Sequence, residues 1–170
     1  IPYVQELEIL DCVDTSYITD MNGLFFGLSV KKLDLTNLNT ENVTNMQQMF
    51  YGCSQLEEII FGDFNTGKVT NMYGMFMECD KLTSLDLTFF DTSNVYGMGS
   101  MFYYCSGLKH VDLSSFDTSN VYSMNSMFAE CHRLESLDLS SFDTSTVWDM
   151  SHMFAGCTSL KNVNLASFNT

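Results

Sequence analysis

Basic side chains are scarce in this sequence: 7 Lys and Arg stand against 21 Asp and Glu, for a net charge of -14. Such a chain repels phosphate backbones and anionic lipid headgroups, so nucleic acid and membrane surfaces are not expected partners. No apolar run approaches the roughly 18 residues that a membrane span needs. The start, Ile1-Pro2-Tyr3, has neither a charged n-region nor an apolar h-region, so a signal peptide, if the protein is made with one, is expected to have been removed. There is no CxxC pair, no Cys/His spacing suited to zinc and no glycine-rich phosphate loop. The three histidines, His110, His132 and His152, occupy three different positions of the pattern described below, and no nucleophile has a base placed beside it. The sequence therefore gives no ground to expect an enzyme, a metal site or a cofactor. Hydrophobic residues, by contrast, make up 45% of the chain, enough for the packed core of one 170-residue domain.

The sequence repeats with a fixed period of 26. Leu35, Phe61, Leu87, Leu113, Leu139 and Leu165 fall on that period, as do Val43, Val69, Val95, Val121 and Val147, and Cys53, Cys79, Cys105, Cys131 and Cys157. A fixed period of this size implies a solenoid, in which one unit buries its apolar face only by stacking on copies of itself. Residues 1–30 read as a degenerate first repeat, with one residue inserted near Cys12 and one lost before Leu33. Residues 31–170 are regular and stop part-way through a turn, so a single array of 1–170, cut from a longer one, is expected.

Two periodicities alternate inside each unit. Leu-x-x-Leu-x-Leu, as in Leu82, Leu85 and Leu87, ends in the period-2 pattern of a short strand. Val95, Met98, Met101, Phe102 and Cys105 then step by three, three, one and three, which predicts a short α or 3₁₀ helix. Phe-Asp-Thr-Ser-Asn links the two with residues suited to turns and caps. The expected architecture is a leucine-rich-repeat solenoid: a right-handed coil with a concave parallel sheet and short helical segments on the convex side.

The full unit, Leu-x-x-Leu-x-Leu-x-x-Phe-[Asp/Asn]-Thr-x-x-Val-x-x-Met-x-x-Met-Phe-x-x-Cys, as in Leu108 to Cys131 and Leu134 to Cys157, resembles the BspA-like leucine-rich repeats of bacterial surface proteins. The resemblance extends to the Met-Phe-rich form found in mycoplasma and lactobacillus surface lipoproteins. It implies a secreted or surface-anchored protein that binds a protein or glycan on host or neighbouring cells, with no catalytic residues to carry over. Phe or Leu stands where plant-type repeats carry Asn, at Leu38, Phe64, Phe90, Phe116, Phe142 and Phe168.

The methionines share the phase of Val and Phe and are expected inside. The five in-register cysteines are expected as buried free thiols, with Cys12 out of register, and the native protein is expected to react with a thiol reagent slowly or not at all. Two exposed ladders are candidate binding surfaces. Asp34, Asp86, Asp112 and Asp138, interrupted by Ile60 and Asn164 and accompanied by His110, line the sheet face. Like charges about 5 Å apart repel by about 1 kcal/mol in water, so the row is either a site for a basic partner or a cation, or a solvated acidic face. Asn39, Asn65, Asp91, Asp117, Asp143 and Asn169 read instead as turn caps. The second exposed ladder runs through Tyr96, Tyr122 and Trp148, with Tyr51, Tyr103 and Tyr104 nearby. Its rings either offer flat faces to sugars and protein hot spots or stack on one another. Two functions follow, an adhesion module with a surface that varies between repeats, or a passive stalk with a uniform one; a calcium-stiffened scaffold is a third. His110 against Ser84 and Ser136 is such a variation.

Overall fold

Apolar residues at i and i+2 point to one face of an extended chain, so each Leu-x-Leu forms a brief strand with its leucines turned inward. The computed structural model describes residues 4–169, which leaves the reading of Ile1-Pro2-Tyr3 outside the described residues. Its strands are β1 (Glu6–Glu8), β2 (Lys32–Asp34), β3 (Glu58–Ile60), β4 (Ser84–Leu85), β5 (His110–Val111), β6 (Ser136–Asp138) and β7 (Asn162–Asn164). Pairing is parallel, each residue opposite its counterpart one period on: Lys32 lies between Glu6 and Glu58, Ser84 faces His110, and Ser136 faces Asn162. The degenerate first repeat takes its place through the β1–β2 pairing.

The sheet is interrupted twice, giving β1-β2-β3, β4-β5 and β6-β7. The seam between β5 and β6 is slight, because the Glu135 N–H still reaches the Lys109 carbonyl at 3.4 Å. Between β3 and β4 the sheet opens. No Cα of β3 lies within 8 Å of a Cα of β4, and among the described residues no backbone hydrogen bond joins the two.

On the side away from the sheet the stack is continuous, through single-residue parallel pairings that run Asp20, Asn45, Asn71, Gly97, Ser123 and Asp149. The short helices expected there do not form; no helix is found among the described residues. Met49, Tyr51 and Cys53 donate to the carbonyls of Met46, Gln48 and Phe50, three residues back, at 3.0 to 3.2 Å. The alternate amides of Met46, Gln48, Phe50 and Gly52 donate to Asn71, Tyr73, Met75 and Met77 of the next coil at 2.8 to 3.0 Å. Two left-handed residues in each string of turns, such as Gln48 and Gly52 or Ser100 and Tyr104, break any helix. An isolated helix of two turns is unstable by itself, whereas this string of turns hands every second amide to a neighbour. A spacing of three puts side chains on one side in either conformation. The inward set is therefore the expected one: Val43, Met46, Met49, Phe50 and Cys53 and their copies through Cys131 are buried.

Stacking brings identical side chains into contact. Phe25, Phe50, Phe76, Phe102, Phe128 and Phe154 form a column with ring centroids 5.3 to 6.0 Å apart and planes within 10°. Beside it runs a column of buried threonines: Thr15, Thr40, Thr66, Thr92, Thr118 and Thr144. Each hydroxyl from Thr15 to Thr118 donates to the carbonyl of the Asn or Asp 24 or 25 residues on, at 2.9 to 3.0 Å, and accepts that same residue's N–H at 2.7 to 2.8 Å. One hydroxyl thus satisfies both polar groups of one residue in the next coil. No buried side-chain polar atom lacks a partner among the described residues.

Thr92→Val should therefore orphan the Asp117 N–H and carbonyl at about 1–3 kcal/mol each, whereas Thr92→Ser should stay near the parent. Urea melts of both variants check this, and a valine variant as stable as the parent would show that the column contributes nothing.

Candidate interaction surfaces

A carboxylate two residues before a Ser or Thr closes an Asx turn, and the sheet-face aspartates are used in this way. Asp34, Asp86, Asp112 and Asp138 accept from the backbone N–H of Thr36, Thr88, Ser114 and Ser140 at 2.9 to 3.1 Å, and the Thr36 and Thr88 hydroxyls add bonds of 2.7 Å. Hydrogen bonds to the ionised form hold all four below the usual carboxylate range: the Thr36, Thr88 and Ser140 hydroxyls lead for Asp34, Asp86 and Asp138, and the Ser114 N–H leads for Asp112. Repulsion from Asp112 opposes this at Asp86 only as the smallest contribution. At Asp86 these hydrogen bonds outweigh the repulsion that a basic partner or a cation would relieve. No group of three or more His, Cys, Asp or Glu suited to a metal exists among the described residues. The second Asp/Asn row caps turns as expected, Asn39, Asn65, Asp91, Asp117 and Asp143 each accepting the N–H two residues on.

His110 is exposed on β5 and shares a shallow depression of about 360 Å³ with Asp112, Ser136 and Asp138. Asp86 is not part of it. That residue borders the opening between β3 and β4, a second depression of about 360 Å³ lined by Glu57, Glu58, Ile59, Phe61 and Phe89. The opening coincides with a cluster of departures from the repeat: Ile60 replaces Asp, Phe61 replaces Leu, and Asp63 and Phe89 stand where Asn37, Ser115, Ser141 and Ser167 donate to a carbonyl of the previous coil. Phe89, 43% exposed, packs its ring 5.4 Å from Phe61. The Lys31–Glu57 and Lys32–Glu58 pairs, at 3.4 and 3.7 Å, flank the β3 side. Sequence reasoning noticed Ile60 as an irregularity and missed the opening it belongs to.

Tyr96, Tyr122 and Trp148 are brought together. Their rings stack with centroids 5.4 and 6.1 Å apart and planes 11° and 9° from parallel. Tyr122 is sandwiched, so its faces are closed to a sugar and its edge and hydroxyl are what solvent meets. The stack as a whole stays accessible: Tyr96 and Tyr122 are 40% exposed and Trp148 is 74% exposed. Tyr51, Tyr103 and Tyr104 lie apart, on the string of turns, with the Tyr51 hydroxyl 3.4 Å from Glu78 Oε1 and the Tyr104 ring edge-on to His132 at 5.8 Å.

The cysteine column is a packing element. Each Sγ donates to the carbonyl of a phenylalanine in the preceding coil, from Cys53 to Phe25 at 3.1 Å through Cys157 to Phe128 at 3.0 Å. Burial pushes the Cys53 thiol up to about 11 and raises Cys79, Cys105, Cys131 and Cys157 as well. None is a nucleophile at neutral pH. All six cysteines are free, and Cys12 is exposed, so the expectation of slow thiols holds only for the column.

Two matches to the model of the mycoplasma family of unknown function DUF285, over residues 4–85 and 80–170, span the described chain. The chain belongs to the DUF285 family. No curated protein matches it. In structure this DUF285 chain is similar to a leucine-rich repeat protein of T. pallidum (16% identity, 96% of this chain and 70% of that one, TM-score 0.45) and to one of Bacteroides ovatus (17%, 94% and 55%, TM-score 0.44). A leucine-rich cell surface protein of Faecalibacterium prausnitzii also matches (17%, 80% and 25%, TM-score 0.35). The chain thus spans 70%, 55% and 25% of the lengths of these three. Membership of DUF285 agrees with the resemblance drawn from the repeat unit, and the in-register parallel ladders themselves establish the solenoid.

Two outcomes follow. With a thiol reagent at pH 8, native protein should react quickly at Cys12, slowly at half-buried Cys157 and not at the other four; a Cys12→Ser variant that keeps its fast phase would contradict this packing. Because the aspartates are depressed in the folded state, their stabilisation is present above the unfolded carboxylate range of about 3.9 and is lost as pH falls through the folded values. Melts from pH 5 down to pH 2 should therefore fall less steeply for Asp112→Asn with Asp138→Asn, which keeps the turn acceptors and removes the titration.

Proposed function

We propose that this DUF285 chain is a non-catalytic binding module of a bacterial surface or secreted protein, with the coil stack as a rigid scaffold for a variable exterior. The observation that carries this reading is the exposed Tyr96–Tyr122–Trp148 stack. The equivalent positions in earlier coils hold Thr44 and Thr70, so the fold itself does not require aromatic rings there. Large aromatic side chains left in solvent on a stable scaffold are the usual anchors of protein contacts. A protein partner on host or neighbouring cells fits better than a glycan, because sandwiched rings present edges and hydroxyls; a glycan would find a ring face only at the ends of the stack. The sheet face contributes a second variable surface, on which His110 follows Ser84 and precedes Ser136, and its aspartates would act on the rate and salt dependence of encounter.

Trp148 is the sole tryptophan and therefore reports on this surface directly. Protein retained on a host-matrix or cell extract should show a blue-shifted Trp148 emission with less quenching by iodide. Tyr122→Ala with Trp148→Ala should weaken retention about tenfold or more, the loss typical of removing one or two aromatic anchors. Unchanged retention and emission would favour the passive stalk.

A further inference from the structure

The opening between β3 and β4 is the one place among the described residues where two successive strands of the solenoid lie apart. At every closed seam the amide just ahead of the strand donates to the preceding coil, as the Glu57 N–H does to the Lys31 carbonyl at 2.7 Å and the Lys109 N–H to Thr83 at 3.0 Å; the amide after the strand adds a bond at the β1–β2, β2–β3 and β6–β7 seams only, as the Leu35 N–H does to Ile60 at 2.8 Å. Their counterparts across the opening are Thr83 N–H to the Glu57 carbonyl and Phe61 N–H to the Asp86 carbonyl, and neither forms. The missing Thr83–Glu57 bond is the one whose equivalent joins all the other pairs of successive coils. Paired strands lie about 4.8 Å apart, so β3 and β4, with no Cα pair within 8 Å, are too far apart to pair with each other, and one further strand between them needs roughly 9.6 Å. The other side of the same coils stays closed, held by the Asn71–Gly97 pairing and by the Thr66 hydroxyl on Asp91. The coils are hinged open on the sheet side only.

We propose that this opening receives an extended segment of a partner protein, which inserts as an added parallel or antiparallel strand and pairs with both β3 and β4. Main-chain bonds to both edges supply affinity, and alternate side chains supply specificity. Inward-pointing residues of the inserted strand meet Ile59, Phe61, Leu85 and Phe89. Outward-pointing ones meet Glu58 and Asp86, with Glu57 at the rim; two lysines against these three carboxylates leave the rim acidic within a chain of net charge -14. The fitting partner is a short run that alternates apolar with Lys or Arg. The proposal rests on the binding-module reading and adds a place and a partner chemistry to it.

The probe is a fluorescein-labelled Lys-Val-Lys-Val-Lys-Val-Lys peptide, followed by anisotropy on the full chain. Saturable binding is expected, weakened about tenfold or more when Pro replaces two alternate valines or Glu replaces the lysines, because the first removes ladder donors and the second reverses the charge match. Phe61→Leu with Phe89→Ser restores the residues of the other coils. It should close the seam, slow amide exchange at Thr83 and at the substituted position 61, leave the melt no lower than the parent's, and abolish peptide binding. The proposal is overturned if no peptide saturates, if the Pro peptide binds equally well, or if the closed variant binds like the parent. If the closed variant is still retained on the host extract while peptide binding fails, the opening is wrong and the module reading stands; if the parent is retained by no extract either, both fall.

Discussion

Everything in this molecule depends on register between coils. One coil by itself cannot close its own hydrogen bonds: every second amide in the string of turns points out of it, and so does each buried threonine hydroxyl. Both find partners only in an adjacent coil held at one phase. A shift of one residue would set phenylalanine against methionine in the core column and leave the threonine hydroxyls facing no peptide. The apolar columns supply most of the driving force, and the polar contacts between coils select one alignment among those that burial alone would allow.

That division explains which features were legible in the sequence. The strands, the inward set, the buried thiols, the capping Asp/Asn row and the aromatic row each follow from position within the period. The helices were misread because Val43, Met46 and Met49 keep the same inward phase in a helix and in a string of turns; the distinction lies in whether alternate amides bond within a coil or between coils, which spacing does not encode. The threonines sat in plain view at Thr92 and Thr118, yet the group each one satisfies is 25 residues away. The opening was hidden for the same reason. Ile60, Phe61, Asp63 and Phe89 look like scattered substitutions along the chain and converge only when consecutive coils are stacked.

The stacked rings at Tyr96, Tyr122 and Trp148 show how the same regularity constrains what the surface offers. A row of aromatics at neighbouring register positions cannot display its faces, since each ring lies against the next. Regular ladders therefore present edges, hydroxyls and hydrogen-bonded carboxylates. A break in the regularity adds a concave site, and the widest break between successive strands is the one between β3 and β4.

Because each coil bonds only to its immediate neighbours, the molecule has a natural unit of growth. A genetic duplication or loss of the codons for one full period adds or removes one coil, leaves every remaining contact in phase, and lengthens or shortens the stack by about 4.8 Å. A change of any other length survives only in a loop, as the residue inserted near Cys12 and the one lost before Leu33 do. Such a chain changes its reach in equal steps and samples new surface residues with every copy, so length and recognition vary together by slippage of the gene rather than by redesign of the fold.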